Sequence, residues 1–200
     1  MPRRKEPIII SYYTNNWEYP QRAEQLREDC KLLRLRNDIV ELQDSGSWID
    51  NTRLKSRFVH EKLEEHQRPV LWIDADSRIL RTPHSISPHA DFAGVRAVNN
   101  DEKTFYAGTL YFNYSDAGRD FVRRWSECSI DGSDHMALEE VWKEGFDGVV
   151  HCLPYRYCEV ESRAEASDQA VIVSGSSKSK SKEEYFRKNP HKRRVRRRRR

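Results

Sequence analysis

The sequence predicts a single α/β domain built on a mainly parallel central sheet flanked by helices, followed by a disordered basic tail. Three observations lead there. Residues 7–73 read strand, helix, strand, helix, strand, the order that produces a parallel sheet with helices on both sides. A chain of 200 residues has room for one core but not for two. The composition then shifts abruptly after Gly175, so residues 1–175 are expected to form the domain and 176–200 the tail.

Pro7 to Tyr13 is a short β-branched apolar run that reads as a buried first strand. From Glu18 to Arg36, Ala23, Leu26, Cys30 and Leu33 recur at three- and four-residue spacing, one face of a helix. Ile39 to Leu42 is a second strand, closed by the polar loop Asp44-Ser45-Gly46-Ser47. Leu54, Phe58, Val59 and Leu63 mark a second helix that ends before Pro69. Val70-Leu71-Trp72-Ile73 is apolar throughout, as a strand covered on both faces should be. Asp91 to Val98 and Thr104 to Asn113 read as two strands joined by the turn Asn99-Asn100-Asp101. Helices are expected over Ala117 to Cys128 and Asp134 to Lys143, and short strands over Val149 to Leu153 and Ala170 to Val173.

Composition excludes several classes. With 36% hydrophobic and 34% charged residues the chain is neither collagen-like, coiled-coil nor wholly disordered. The longest early apolar run, Ile8-Ile9-Ile10, is far short of a membrane span, and it ends in Ser11 and Tyr12 before it could serve as a secretory signal. Cys30, Cys128, Cys152 and Cys158 contain no CxxC pair, which argues against a zinc framework. Four reduced thiols in a cytoplasmic protein are the expectation.

In an open α/β sheet, ligands bind outside the carboxyl ends of the strands. Three polar clusters fall at or near such ends: Ser11-Tyr12-Tyr13-Thr14, Asp74-Ala75-Asp76 and Ala107-Gly108-Thr109. Two carboxylates leaving a buried strand repel each other and lose hydration, so together they call for a cation. Oxygen-only ligands suit Mg²⁺ or Mn²⁺, ions that commonly bridge to phosphates. The competing structural explanation is an Asp-rich turn paired with Arg78 or Arg81.

The segment Val70-Leu71-Trp72-Ile73-Asp74-Ala75-Asp76 resembles the DxD strand of GT-A-fold glycosyltransferases, the nucleotide-diphospho-sugar transferases related to glycosyltransferase family 8. The opening Ser11-Tyr12-Tyr13-Thr14, Gly46-Ser47-Trp48 with Asn51 and Lys55, Phe105 to Asn113, and Asp134-His135 follow in the order of that family, over residues 7–175. The resemblance implies a GT-A-like (Rossmann-like) domain that moves a hexosyl or pentosyl group from a nucleotide sugar, a UDP-sugar by analogy, to an acceptor. It implies nucleotide contacts from Tyr12, Tyr13, Thr14 and Asn51, and Asp74 at the ribose or metal. Asp76 would be a direct metal ligand, Lys55 would lie near the phosphates or sugar, and Gly108 would let backbone approach the sugar. Asp134 would be the carboxylate beside a reacting sugar, which with Lys55 gives the expected catalytic pair.

The chain also departs from that pattern. Ser174 stands where a late histidine would complete the metal site, and His135 replaces a glutamine. His151 is the candidate substitute ligand, although a satisfied strand histidine fits it better. A nucleotidyltransferase is a rival reading, disfavoured by the glycine-free loop after the first strand. A nucleic-acid-binding module with a decayed site is another. It draws on the tail: residues 176–200 hold 13 Lys or Arg against two Glu, eight of them within Lys192 to Arg200. Such a polycation binds phosphate polymers through counterion release, making nucleic acid or an anionic acceptor its candidate partner.

Overall fold

The computed structural model describes residues 6–99, 102–130, 132–160, 166–175 and 187–188. The expected disordered tail, apart from Arg187 and Lys188, and the turn residues Asn100 and Asp101 lie outside the described residues.

The chain runs β1 (Ile8–Thr14), α1 (Tyr19–Leu32), β2 (Asn37–Leu42), α2 (Trp48–His66) and β3 (Val70–Ile73), as its alternating pattern predicts. It continues through β4 (Arg78–Ile79), β5 (Phe92–Asn99), β6 (Glu102–Phe112), α3 (Asp116–Glu127), α4 (Asp134–Lys143), β7 (Val150–Leu153), β8 (Glu159–Val160) and β9 (Ile172–Ser174). The central sheet has the order β2-β1-β3-β6-β5-β7, and within it only β6 runs against its neighbours. A second sheet, β4-β9-β8, was not anticipated; two of its strands are only two residues long.

Period-2 alternation sorts the strands between two cores. Ile8, Ile10 and Tyr12 of β1, Val70 and Trp72 of β3, and Leu110 and Phe112 of β6 pack under α2, α3 and α4. Ile9, Leu71, Ile73 and Tyr111 face the other way, toward Ala23, Leu26 and Cys30 of α1 and the small sheet. Helix α1 ends at Leu32 rather than Arg36, because Arg34 turns into the left-handed region (φ 55°) to reach β2. Helix α2 starts earlier than its apolar spacing suggests: Ser47 caps it, its hydroxyl accepting from the Asp50 amide at 3.2 Å.

Strand register sets the site. Thr109 of β6 pairs with Ile73, the last residue of β3, and Arg96 pairs with Phe105 further on. The β5–β6 ribbon therefore extends past the carboxyl end of β3 and walls that edge of the sheet. Ala107-Gly108-Thr109 lies in the interior of an antiparallel strand, not at a strand end, and it reaches the site from the side.

Candidate active site

Asp74-Ala75-Asp76 leaves β3 as a tight turn held at both ends. The Asp74 amide donates to the Gly108 carbonyl at 3.0 Å, and the Ser77 amide donates to the Asp74 carbonyl at 2.9 Å. Downstream, buried Asp29 of α1 accepts from Arg78 through both carboxylate oxygens, at 2.7 and 2.9 Å, and from the Ile79 amide at 2.9 Å. Of the two arginines the sequence offered as partners, Arg78 pairs with Asp29 and Arg81 donates to the Asp168 carbonyl.

The cation that joins the site is Lys55. Its ammonium lies 2.8 Å from Oδ1 of Asp74, 2.5 Å from Oδ2 of Asp134 and 3.0 Å from the Ala107 carbonyl. An ammonium has three donors, and these are three acceptors. The two carboxylates outweigh burial and push the lysine's affinity for its proton above the ordinary value. Trp72 adds an indole N–H to the same Asp74 oxygen at 2.9 Å, and its ring lies 5.0 Å from the ammonium. Asp134 enters from the first turn of α4, where the helix dipole favours a carboxylate.

Asp76 is half-buried, its carboxyl packed on Gly175, where a Cβ would stand 2.6 Å from Oδ2. Burial, then the charge of Asp74, push this carboxyl up to about 7 against the opposing charges of Lys55 and Arg22. Gly108 permits a close approach: a Cβ there would lie 3.2 Å from Oγ of Ser174 and 3.3 Å from Oδ2 of Asp74. Ser174 is itself buried against Cys158, Oγ to Sγ 3.3 Å, and burial raises that thiol to about 11. His151 lies elsewhere. Through Ala93 and Tyr111 it is level with Leu71, three residues short of Asp74, and its Nδ1 accepts from the Ser87 amide at 3.0 Å.

The other rim is formed by the carboxyl ends of β1 and β2. The Tyr12 ring is enclosed by Phe58 and Trp72, with centroids 5.2 and 5.3 Å away, and its hydroxyl donates to the Asn51 carbonyl at 2.5 Å. Tyr12 is thus a core residue supporting the site from below. Tyr13 points to the opposite face, under Arg27 and beside Glu41. Thr14 donates to Oδ1 of Asn16, and Asp44 accepts from Asn16 at 2.9 Å and Asn51 at 2.7 Å, a polar belt that fixes the β1–α1 and β2–α2 loops. Beyond Thr14, Trp17 is 46% exposed on a left-handed backbone (φ 56°). A bulky residue in that region is strained, and strain collects at ligand clamps.

Oxygen donors of Asp74 and Asp76, with the Ser174 hydroxyl close to Gly108, suit a hard divalent cation. Among the described residues, the three-donor group of carboxylate, imidazole or thiol atoms within 4.8 Å of one another is Asp38, Glu65 and His66, at the far ends of β2 and α2. There Lys62 already bridges Asp38 and Glu65, each at 2.8 Å. All four cysteines are free, and no described helix is long and apolar enough to cross a membrane.

Comparison with solved structures finds the same mixed α/β fold, a central sheet flanked by helices, in several glycosyltransferases. A glycosyltransferase involved in glycosylation of the major capsid of PBCV-1 superposes with a TM-score of 0.63 at 13% identity, over 84% of this chain and 94% of that one. The bifunctional glycosyltransferase WbbM gives 0.54 at 11% identity, over 84% of this chain and 45% of that one. Mouse xyloside xylosyltransferase 1 gives 0.53 at 9% identity, over 86% and 98%. At such identities the likeness shows the fold. No protein-family model and no curated protein sequence matches the chain.

Proposed function

We propose that this chain transfers a sugar from a nucleotide-diphosphate sugar to an acceptor, with Mn²⁺ or Mg²⁺ held by Asp74 and Asp76. The observation that carries this reading is the convergence of two carboxylates, Asp74 and Asp134, on one buried ammonium at the carboxyl edge of β3, with a third, Asp76, in the same acidic turn. A structural ion pair needs one carboxylate per ammonium; the surplus acid is what a divalent ion and a diphosphate would use. When bound, the ion would neutralise charge developing on the diphosphate leaving group.

The protein's own groups do the positioning. Lys55, with every donor engaged, holds Asp74 and Asp134 at a fixed separation, so we read it as a positioning residue rather than a phosphate contact. Lys55 takes Oδ2 of Asp134, and Oδ1 is the atom we assign to the oxocarbenium-like reacting sugar. Gly108 keeps Asp74 and Ser174 close against the β6 backbone, where a Cβ would crowd both. Thr14, Asn51 and the exposed Trp17 are the rim we assign to the nucleoside, with Tyr12 behind it and Tyr13 on the opposite face of β1. The charge of segment 176–200 supports an anionic acceptor or another polyanion as its partner.

Release of nucleoside diphosphate from a panel of nucleotide sugars with Mn²⁺ tests the reading. Turnover of at least one donor is expected, reduced by about 100-fold or more in Asp76→Ala and Asp134→Asn. No turnover of any donor by the wild-type chain would overturn it.

A further inference from the structure

We propose that Arg22, in the first turn of α1, is a ligand for the diphosphate of the donor; this rests on the glycosyltransferase reading and names a contact within its site. Helix α1 returns from the carboxyl end of β1, so its first turn lies at the edge of the sheet that carries Asp74 and Asp76. Arg22, Leu26 and Asp29 share one helical stripe at spacings of four and three residues. Asp29 anchors that stripe on Arg78 and Ile79, just downstream of the acidic turn. Arg22 lies two turns, roughly 10 Å, toward the site from there. Its positive charge acts on Asp76.

Among the described residues, the neighbouring cations named here are committed. Lys55 is saturated, Arg27 is engaged by Glu24 and the Ile39 carbonyl, Arg53 by Asp50 and the Gly132 carbonyl, and Arg78 by Asp29. Among the described residues Arg22 makes neither a hydrogen bond through its guanidinium nor an ion pair, although it is half-buried. With Asp76 ionised, as ion binding requires, three carboxylates and one ammonium leave the site two charges negative. One divalent ion balances that, and the diphosphate then brings negative charge that none of the committed cations named above is free to meet. Arg22 supplies the missing charge, and a guanidinium matches phosphate oxygens bidentately.

Calorimetric titration of UDP, GDP and ADP with Mn²⁺, and saturation-transfer NMR on the parent nucleosides, tests this on wild-type, Arg22→Ala and Arg22→Lys chains. For the diphosphate that the wild type binds, Arg22→Ala is expected to weaken affinity about 10- to 100-fold while the nucleoside signal is unchanged, with partial recovery in Arg22→Lys. Equal diphosphate affinity in wild type and Arg22→Ala overturns the assignment of Arg22 alone. Absence of diphosphate binding by the wild type overturns the glycosyltransferase reading, and this assignment with it.

Discussion

Replacing Lys55 with methionine probes the centre of the site. Methionine keeps most of the volume of the side chain but removes the ammonium from Asp74, Asp134 and the Ala107 carbonyl. The Asp134 side chain is 8% exposed and that of Asp74 35%, so water can replace the lost partner at one carboxylate far better than at the other. Removing one partner of a buried ion pair costs about 3–5 kcal/mol. For a domain of this size that lowers Tm by about 6–20 °C at pH 8. The pH dependence separates charge from packing. In the wild type the raised lysine contributes fully at any pH below its unfolded value near 10.5, so its contribution is constant between pH 5 and 8. In the variant the two stranded carboxylates take up protons more readily folded than unfolded, so stability rises as pH falls. Urea denaturation followed by circular dichroism should therefore show a deficit that shrinks from pH 8 to pH 5, and adding Asp134→Asn should recover part of it. A deficit under about 1 kcal/mol, or one equal at both pH values, would refute the reasoning.

Three further outcomes are expected. Folded Asp76 keeps its proton up to about 7, against 3.8 as the ordinary value, so its contribution to the metal-free protein's stability declines as pH rises from about 4 to 7 and is flat above; Mn²⁺ affinity measured by electron paramagnetic resonance should accordingly rise about tenfold from pH 6 to pH 8. In Gly175→Ala the new Cβ would lie 2.3 Å from the Asp76 carbonyl oxygen and 2.6 Å from Oδ2, displacing the acidic turn, so Mn²⁺ affinity should fall while thermal unfolding shows a loss of only about 1–3 kcal/mol. Asp29→Ala leaves Arg78 and the Ile79 amide without their acceptor, and chemical denaturation should show a loss of about 2–3 kcal/mol together with weaker Mn²⁺ binding.

The first half of the fold was legible because local signals agree: apolar runs made β1 and β3, helical spacing made α1 and α2, and Pro69 closed α2. Strands β4 and β8 carried no such signal, since two residues have no period and only pairing with β9, far away in sequence, makes them strands. The earlier start of α2 had a signal that went unused, the capping pair Ser47 and Asp50. In the candidate site, Asp74 and Asp76 could be placed from the rule that ligands meet the carboxyl ends of strands. The pairing of Lys55 with Asp134 could not, because 79 residues separate them. One hint was available: position 55 shares a helical face with Phe58, Val59 and Leu63, where a lysine must find a buried partner. Tyr12 was equally readable as core, being in phase with Ile8 and Ile10 along β1.

The central property proposed for the site is the binding of a nucleoside diphosphate by Asp74 and Asp76 through a divalent ion. Titration of the wild-type chain with nucleoside diphosphates, with and without Mn²⁺, measures it directly. Saturable binding that requires Mn²⁺ and disappears in Asp76→Ala is the predicted result. Binding that is indifferent to Mn²⁺ and to Asp76, or no binding at all, would contradict it.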